Sequence, residues 1–557
     1  MEKIWLKHYP KNVPAEINTT RYSSLLDLFR QTVKNYNDRP AVTGLGITLT
    51  YRQLDEKSDC LATYLQSRGL KKGDRIALMM PNIIQYLISL YAAFKAGLTV
   101  VNINPLYTEH ELAYQLKDST PKAIVVLENF AKTVEKALLQ QPIEQVIIAK
   151  IGDLMPTVKA LITDFVLKKV KKVIPIYTLQ QAVYFNKALS QGKRLTLIPV
   201  ELTAQDLAFL QYTGGTTGVS KGAMLSHGNM VANVEQAFAW IGHQFHLGEE
   251  RAGVVLPLYH VFSLLANALV FMRAGSCCIL IANPRDLPAL VEEFRKYRFT
   301  AFMAVNTLLN TLLSREVFRK LDFSELRLVI AGGMALQGAV AKKWLEVTKV
   351  PVLEGFGLTE ASPITCINPA NVTTFNGSIG LPIPSTDAMI IDNENCELPV
   401  GEVGELCFKG PQIMQGYWNC PEETAQVLFG NGWLKTGDMA KIDHDGFVYI
   451  VDRKKDMIDV AGYNVYPNEV EGVIAHHPGV REVAVVGVTH DSTGEMVKAY
   501  IVSQDQALTK ADIIAFCKER LVSYKIPKRI EFCRELPKNT VGKVLRRVLK
   551  EKEKEHT

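Results

Sequence analysis

The stretch LAFLQYTGGTTGVSKGAMLSH, residues 207–227, places a strand-like apolar run directly before a loop rich in glycines and hydroxyl groups. Glycines let the backbone turn tightly, so that its N–H groups can approach phosphate oxygens. The side chains that add hydroxyl donors and one positive charge are Thr213, Thr216, Thr217, Ser220 and Lys221. The loop is not a Walker loop, because Gly222 stands where that motif requires Ser or Thr after its lysine. The sequence therefore predicts a triphosphate-binding loop.

Apolar, often β-branched runs alternate with helix-like segments along most of the chain. The runs are IALMM (76–80), TVVNI (99–103), AIVVL (123–127), QVIIA (145–149), GVVL (253–256), CILIA (278–282) and LRLVIAGG (326–333). Between them, segments such as LPALVEEFRKYR (287–298) carry apolar residues at helical spacing. This alternation predicts an α/β protein in which parallel sheets are covered by helices on both faces.

The amino-acid composition of the sequence changes after about residue 376. Glycine and proline become frequent, and turn pairs such as Asn431-Gly432 and Asp445-Gly446 indicate a β-rich subdomain. The last hundred or so residues resemble a small α+β unit, with strands VREVAVVGV (480–488) and KAYIVS (498–503) and a helix around 509–523. We expect the boundary of this unit at the charged run 452–456.

The composition excludes several classes of protein. The chain has 557 residues, of which 47% are hydrophobic and 22% are charged. These fractions are close to the averages of globular proteins, which excludes a disordered chain, a collagen or a coiled coil as the overall structure. Its net charge of +6 is too small to predict nucleic-acid binding. The nine cysteines include no C-x-x-C pair, so neither a disulfide framework nor a zinc site is encoded. The N-terminal MEKIWLKHYPKNVPAE lacks an apolar core, and we expect a cytoplasmic protein, at most peripheral on the inner face of the cell membrane.

One segment, residues 151–200, is unusually basic, with eight Lys or Arg against two Asp. Within it, apolar residues at helical spacing, Val158, Leu161, Ile162, Phe165 and Val166, precede a cluster of lysines. A basic amphipathic helix of this kind can lie on an anionic membrane surface, here through residues 158–172. The alternative is an ordinary surface helix that docks its apolar stripe on the core.

Four further blocks follow the Gly-rich loop in a fixed order. They are PLYHVFSL (257–264), EGFGLTEASP (354–363), NGWLKTGDMAKIDHDGFVYIVDRKKDMID (431–459) and LPKNTVGKVLRR (536–547). In these blocks the chain resembles the acyl-adenylate-forming enzymes over nearly its whole length. Together with VNINPLYT (101–108) and NPRDLP (283–288), they are similar to the bacterial long-chain fatty-acid–CoA ligases.

The resemblance implies a reaction in two halves. A long-chain fatty acid attacks ATP to give acyl-AMP and pyrophosphate, with Mg²⁺ on the phosphates, and the thiol of CoA then displaces AMP. It also implies a large ATP- and fatty-acid-binding domain over residues 1–452, a hinge at 453–455 and a small mobile lid domain over 456–557. The lid would swing between the two halves of the reaction.

The resemblance also implies the residues that perform the chemistry. Lys543 matches the adenylation lysine, which bridges the substrate carboxylate and the α-phosphate. Glu360 matches the glutamate that holds Mg²⁺, and Thr359 matches the threonine that contacts the α-phosphate. His260 matches the histidine placed where the carboxylate and the α-phosphate meet.

A larger set of residues matches nucleotide- and CoA-binding positions. Asp438 and Arg453 match contacts to the ribose, and Phe356 matches the aromatic residue that stacks on adenine. Gly462 suits the close approach of the pantetheine arm of CoA. The other cofactor-binding residues implied are Thr213, Gly214, Gly215, Thr216, Thr217, Gly218, Val219, Ser220, Lys221, Gly222, Gly332, Gly333, Gly355 and Gly357.

Several alternatives stay open at this stage. A medium-chain or aryl-acid CoA ligase shares the motifs, as does a peptide-synthetase domain, although Ser263 stands where such domains often carry Asp. A membrane-associated fatty-acid trapping protein is a third alternative, against which the intact Lys543 and Glu360 argue. A tryptophan gate known in some long-chain members is replaced by Leu264. The oligomeric state is also open, with a homodimer as one alternative.

Overall fold

The computed structural model describes residues 2–213, 220–461, 463–490, 493–505, 507–538 and 544–554. Two large sheets carry most of the chain, and two smaller five-stranded sheets follow them. The seven-stranded sheet contains, in spatial order, Ala182–Tyr184, Gln145–Ala149, Ala123–Leu127, Arg75–Met79, Thr99–Asn102, Leu207–Thr213 and Lys221–Ser226. The nine-stranded sheet contains Leu381–Pro382, Ile364–Ile367, Val352–Gly357, Leu328–Ala331, Ala301–Ala304, Arg251–Val254, Cys277–Leu280, Pro40–Gly44 and Ile47–Thr50.

The two smaller sheets are largely antiparallel and lie later in the chain. The first contains Asp387–Ile391, Gly404–Lys409, Trp433–Ile442 and Leu428–Phe429, and Val448–Arg453 also pairs with its third strand. The second, in the C-terminal unit, contains Tyr463–Val465, Ile458–Val460, Gly494–Ser503 and Val480–His490, and Arg529–Phe532 pairs with its third strand in parallel. The predicted fold class is confirmed: mixed α/β with parallel-rich sheets, a β-rich region and a small C-terminal unit.

Helices cover the sheets, and those predicted around 158–166, 287–298 and 509–523 are observed at Thr157–Phe165, Leu287–Tyr297 and Lys510–Lys518. The α-helices of the main body are Leu25–Tyr36, Tyr51–Ser67, Ile84–Lys95, Glu109–Ser119, Ala131–Leu138, Thr157–Phe165, Phe185–Gly192, His227–Ile241, Val261–Ser263, Val270–Arg273, Leu287–Tyr297, Asn306–Leu313, Glu316–Arg319, Gly338–Thr348 and Pro421–Val427. Those of the C-terminal unit are Pro467–Ala475, Lys510–Lys518 and Arg546–Lys554. In the described part of the chain, none of the helices is both long and apolar enough to cross a membrane.

Apolar side chains pack against both faces of the large sheets. The largest apolar cluster joins residues of both large sheets to the helices between them, and two further clusters lie on their outer faces. The central helix Ile84–Lys95 is buried on every side. Even its Lys95 is buried, and the ammonium lies 2.6 Å from Asp55 and 2.5 Å from Asp59. This matches the rule that a buried charge needs charged partners.

The structure of the basic segment contradicts one of the two interpretations of its sequence, the surface helix docked on the core. The helix Thr157–Phe165 continues as the π-helical turn Val166–Val170. Its apolar side chains face solvent, with exposed fractions of 70% at Val158, 67% at Leu161 and 61% at Phe165. The alternative of an apolar stripe docked on the core is therefore wrong. The physical reason is that the polar side of the helix is the one that contacts the protein.

Candidate active site

A cleft of about 2210 Å³ opens where three neighbouring parallel strands end. The strand register aligns Ala304, Ala331 and Glu354 side by side, so the residues that follow them reach the same edge of the nine-stranded sheet. Ligands in open α/β sheets bind outside the carboxyl ends of the strands. Residues of the β-rich sheet and of the C-terminal unit complete the walls of the cleft.

Most of the predicted site residues that the structure describes line this one cleft. They are Thr213, Ser220, Lys221, His260, Gly332, Gly333, Gly355, Phe356, Gly357, Thr359, Glu360, Asp438 and Arg453. Gly222 does not line it, and its carbonyl instead accepts a hydrogen bond of 2.7 Å from Trp418 N. The predicted residues Gly214, Gly215, Thr216, Thr217, Gly218, Val219, Gly462 and Lys543 lie outside the described residues.

The two ends of the Gly-rich loop are held together. Thr213 and Lys221 pair across the antiparallel strands that flank the loop, and Ser220 Oγ donates a hydrogen bond of 2.6 Å to Thr213 O. Lys221 Nζ lies 4.0 Å from Glu423 Oε1 and 5.4 Å from the centre of the Tyr417 ring. The loop lysine is therefore fixed at the cleft wall by an acid and an aromatic face.

Glu360 sits in a short turn, Thr359–Ala361, directly after the strand Val352–Gly357. Tyr417 Oη donates a hydrogen bond of 2.7 Å to Glu360 Oε1, and Met414 N donates one of 2.8 Å to Glu360 O. Burial and then the Glu360 carboxylate raise the pKa of Tyr417 above its usual range, so its hydroxyl stays a donor. Since Mg²⁺ prefers a carboxylate or two together with phosphate and water oxygens, a single glutamate in the cleft fits such an ion.

His260 stands at the end of a turn that buried polar side chains hold in place. Gln211 Nε2 donates a hydrogen bond of 2.8 Å to Tyr259 O, and Tyr86 Oη lies 3.0 Å from Leu258 O. Asn102 links these two, because it accepts from Tyr86 (2.8 Å) and donates to Gln211 (2.9 Å). A buried hydrogen-bonded network of this kind fixes the backbone, and with it the placement of His260.

Asp438 and Arg453 face each other across two strands of the β-rich sheet. Their Cα atoms are register partners, and Arg453 Nε lies 3.2 Å from Asp438 Oδ1. Lys454 Nζ, the next residue along, lies 2.9 Å from Glu405 Oε2, and Gly437 N donates a hydrogen bond of 3.2 Å to Glu405 Oε1. The carboxylate predicted to bind ribose is therefore preorganised by an arginine before any ligand arrives.

The deep wall of the cleft depends on closely approaching backbones. A Cβ added to Gly332 would lie 3.1 Å both from Gly355 O and from the ring of Phe262. An apolar arm of the cleft extends from here, and its lining residues are Ala237, Ile241, Ala266, Val270, Ile330, Ile367 and Ile379. Part of this arm is lined from the π-helical segment Leu264–Leu269, and such segments often occur at functional sites.

The C-terminal unit presents one of its two predicted functional edges to the cleft. Lys538 and Val544, which flank the segment 539–543, line the cleft and form a β-bridge. Leu545 N also donates a hydrogen bond of 2.8 Å to Pro537 O, so the flanks of this segment are closed like those of the Gly-rich loop. Ala461 and Tyr463, on either side of residue 462, do not line the cleft.

Arg546 ties this arrangement to the end of the main body. It lies 3.3 Å from Asp452, 3.5 Å from Asp456 and 2.8 Å from Glu471. Asn468 N also donates a hydrogen bond of 2.6 Å to Asp452 Oδ2. Burial raises the pKa of Asp452, and Arg546 opposes that shift.

Sequence analysis missed Glu354, Tyr417 and Gln211. Glu354 is buried in the cleft wall, where its carboxylate accepts a hydrogen bond of 3.0 Å from Leu336 N. Burial raises the pKa of Glu354 to about 7. Glu354 and Gln211 stand inside or beside quoted motifs, but only their three-dimensional contacts distinguish them from strand residues. Tyr417 lies outside those motifs, and its one signal is the aromatic pair Tyr417-Trp418 after a glycine.

Comparison with family models and with known proteins indicates one enzyme family. The family described as AMP-binding enzyme matches residues 29–418, and the AMP-binding enzyme C-terminal domain matches residues 469–543. A long-chain-fatty-acid–CoA ligase of Escherichia coli O6:H1 is 51% identical over 552 residues, which cover 99% of this chain and 98% of that protein.

Solved structures resemble the whole chain. An anthranilate CoA ligase in complex with anthranoyl-AMP has a TM-score of 0.85 at 25% identity, covering 97% of this chain and 99% of its own. ATP-bound MatB from Rhodopseudomonas palustris has a TM-score of 0.80 at 29% identity, covering 95% and 99%. Both similarities include the C-terminal unit.

The buried carboxylate of Glu354 predicts a pH dependence of stability. Its pKa rises from an ordinary 4.5 to about 7 in the folded protein, so the folded state keeps a proton that the unfolded state loses. The stabilising effect is complete below about pH 4.5 and is lost as the pH rises through about 7. Relative to Glu354→Gln, the wild type should lose up to about 3 kcal/mol of unfolding free energy over that range.

Urea unfolding at about pH 5 and about pH 8 measures this difference. Glu422→Gln, which changes an exposed carboxylate of the same main body, is the matched control and should follow the wild type. The same pH dependence in wild type and Glu354→Gln would contradict the assignment.

Proposed function

The chain belongs to the AMP-binding enzyme family, and from that premise we propose that it is a long-chain fatty-acid–CoA ligase that forms AMP. It converts a fatty acid, ATP and CoA to acyl-CoA, AMP and pyrophosphate. We choose a long-chain fatty acid as the substrate because the chain is 51% identical to a long-chain ligase over 99% of its length. The apolar side chains that line part of the same cleft as His260 support an alkyl chain rather than a polar acid.

In the first half of the reaction, a carboxylate oxygen of the fatty acid bonds to the α-phosphorus, and pyrophosphate leaves with the electrons of the broken P–O bond. Both reactants are anions, so positive charge must be fixed where they meet. Lys221 binds phosphate oxygens from the loop side. Lys543 bridges the carboxylate and the α-phosphate from the lid side, and the cleft-lining positions of Lys538 and Val544 support this placement.

Asp438 accepts hydrogen bonds from the ribose hydroxyls, and Arg453, 3.2 Å away, orients this carboxylate. Phe356 stacks on adenine, while Gly332, Gly333 and Gly355 leave room for the base. Glu360 would hold Mg²⁺ on the phosphates, where the ion supplies charge neutralisation. Thr359 contacts the α-phosphate, and His260 orients the fatty carboxylate toward it.

In the second half, the sulfur of CoA attacks the acyl carbonyl carbon and the thiol proton is lost. The bond from that carbon to the bridging oxygen of AMP breaks, and AMP leaves with this oxygen and the electron pair. The pantetheine arm needs space that the lid occupies in the first half. We therefore place a swing of residues 456–557 about the hinge at 453–455, after which Gly462 would line the path of the thiol. Movement of this kind is a common gating device in enzymes.

We also propose that residues 158–172 dock the protein on an anionic membrane, which would make it peripheral on the cytoplasmic face. The polar side of this segment is bound to the protein, since Lys168 lies 3.0 Å from the buried Glu128 and Lys150 lies 3.5 Å from Asp164. Tyr177 Oη also donates a hydrogen bond of 2.9 Å to Glu128. These bonds leave the apolar side pointing outward.

The charge around the exposed apolar side matches a lipid surface. All five lysines of the segment, Lys159, Lys168, Lys169, Lys171 and Lys172, are exposed, and Lys168 is the one that pairs with Glu128. Each lysine near an anionic surface contributes about 1 kcal/mol of attraction, and inserted apolar side chains add to this. The substrate of a long-chain ligase is itself an amphiphile that partitions into membranes. The cytoplasmic location and the homodimer stay predictions.

The proposed activity predicts that pyrophosphate release depends on a long-chain acid. Laurate, palmitate and oleate should support release, and benzoate and anthranilate should support little, because an aryl acid leaves the apolar arm empty. Purified protein, ATP, Mg²⁺ and each acid, with and without CoA, provide the measurement. A maximum with benzoate would contradict the long-chain proposal, and release independent of any acid would contradict ligase activity.

Lys543→Ala is expected to separate the two halves of the reaction. Formation of acyl-AMP should fall roughly a hundredfold or more, since one cation at the developing charge is removed. Conversion of supplied acyl-AMP and CoA to thioester should persist. Lys552→Ala, an exposed lysine of the last helix, is the control and should leave both halves intact. Equal loss of both halves in Lys543→Ala would refute the assigned role.

The docking surface predicts flotation with vesicles that contain phosphatidylglycerol. The double variant Leu161→Asp, Phe165→Asp should stay in the soluble fraction, because charged groups replace the inserted side chains. A triple variant with Lys169, Lys171 and Lys172 changed to Glu should lose the preference for anionic over neutral vesicles. Leu139→Asp, at an apolar residue that is 85% exposed elsewhere, is the control. Unchanged flotation of the double variant would end the proposal.

A further inference from the structure

A short strap of backbone, residues 414–418, connects the two charged elements of the cleft. On one side, Met414 N donates to Glu360 O at 2.8 Å. On the other side, the strap pairs with the strand that begins at Lys221, through Met224 N to Gly416 O at 2.9 Å and Gln415 N to Met224 O at 3.0 Å. The strap thus fixes the distance between the turn of Glu360 and the strand of Lys221.

Tyr417 is the residue of this strap whose side chain reaches both charges. Its hydroxyl donates the 2.7 Å hydrogen bond to Glu360 Oε1, and its ring centre lies 5.4 Å from Lys221 Nζ. That separation is within the range of cation–π attraction. A bond to one carboxylate oxygen stops the carboxylate from rotating, so the direction of its second oxygen is fixed as well.

The backbone of Tyr417 is itself held rigidly. Tyr417 N donates a hydrogen bond of 2.8 Å to Thr424 Oγ1. Gly416, the residue before it, has a φ of +138°, and a Cβ there would lie 2.8 Å from Thr424 Cγ2. The close contact with Thr424 therefore requires a glycine, and it fixes the backbone from which the Tyr417 side chain extends.

We infer that Tyr417 is a positioning residue that holds the Glu360 carboxylate in the orientation required for a divalent cation on the phosphates of ATP, with Lys221 across its ring. This inference rests on the proposed function, which places ATP and Mg²⁺ in the cleft. Tyr417 does not touch the reacting atoms. It acts through Glu360, so its loss should weaken the coupling between metal and nucleotide and leave the thioester half unaffected.

The test is the variant Tyr417→Phe, which removes the hydroxyl and keeps the ring beside Lys221. Calorimetric titration with ATP, in Mg²⁺ and in EDTA, gives the factor by which the metal improves nucleotide affinity. We expect that factor to fall about tenfold, in the range for loss of a hydrogen bond to a charged group. The Mg²⁺ concentration for half-maximal pyrophosphate release should rise similarly, and saturating Mg²⁺ should restore most of the rate.

A second variant and a control keep the result interpretable. Tyr417→Leu removes the ring as well, and it should further weaken affinity for ATP in EDTA through Lys221. Tyr449→Phe, a tyrosine of the β-rich sheet outside the cleft, should match the wild type in every measurement. Thermal melting establishes that each variant is folded.

Failure of the positioning role and failure of the proposed function would give different results. An unchanged metal factor in folded Tyr417→Phe, with wild-type protein active, would overturn the positioning role. A loss of thioester formation from supplied acyl-AMP equal to the loss of adenylation would overturn it too. Wild-type protein without acid-dependent pyrophosphate release would instead reject the proposed function.

Discussion

The parallel register of three strands is the constraint on which the cleft depends. Because Ala304, Ala331 and Glu354 are aligned, the segments that follow them all emerge at one sheet edge. Gly332, directly after the second strand, and Gly355, within the third, let the two backbones approach one another closely. Residues separated by about fifty positions in the chain thus form one wall. The other charged groups are brought to that wall by the strap 414–418 and by the strands of the β-rich sheet.

Two loops of the cleft share one mechanical design. The flanks of 214–219 are joined by the pairing of Thr213 with Lys221, and the flanks of 539–543 by the bridge between Lys538 and Val544. In each case an antiparallel pairing joins the residues that flank the segment, and a lysine lies at or just beyond its C-terminal end: Lys221 after 214–219 and Lys543 at the end of 539–543.

The sequence predicted the fold well because its pattern is local. Runs such as 123–127 and 145–149 are the observed strands Ala123–Leu127 and Gln145–Ala149, and the helix Leu287–Tyr297 lies at its predicted position. Motifs predicted the groups that line the cleft for the same reason. Tyr417 and Glu354 were missed because their importance comes from contacts with distant residues. The amphipathic helix shows a further limit: periodicity identifies an apolar side but does not say whether that side faces the core or the solvent.

Asp452 bears on the rate of the swing that we propose about residues 453–455. This carboxylate is fully buried at the end of the main body, while its partners Arg546 and Asn468 belong to the unit beyond 453–455. Any rotation at that point separates a carboxylate and a guanidinium that have little access to water. Departure from the present arrangement should therefore be slow and activated, whereas return is assisted by attraction between the two charges. The lifetime of each arrangement of the C-terminal unit would then depend on the Asp452–Arg546 ion pair as much as on the ligands.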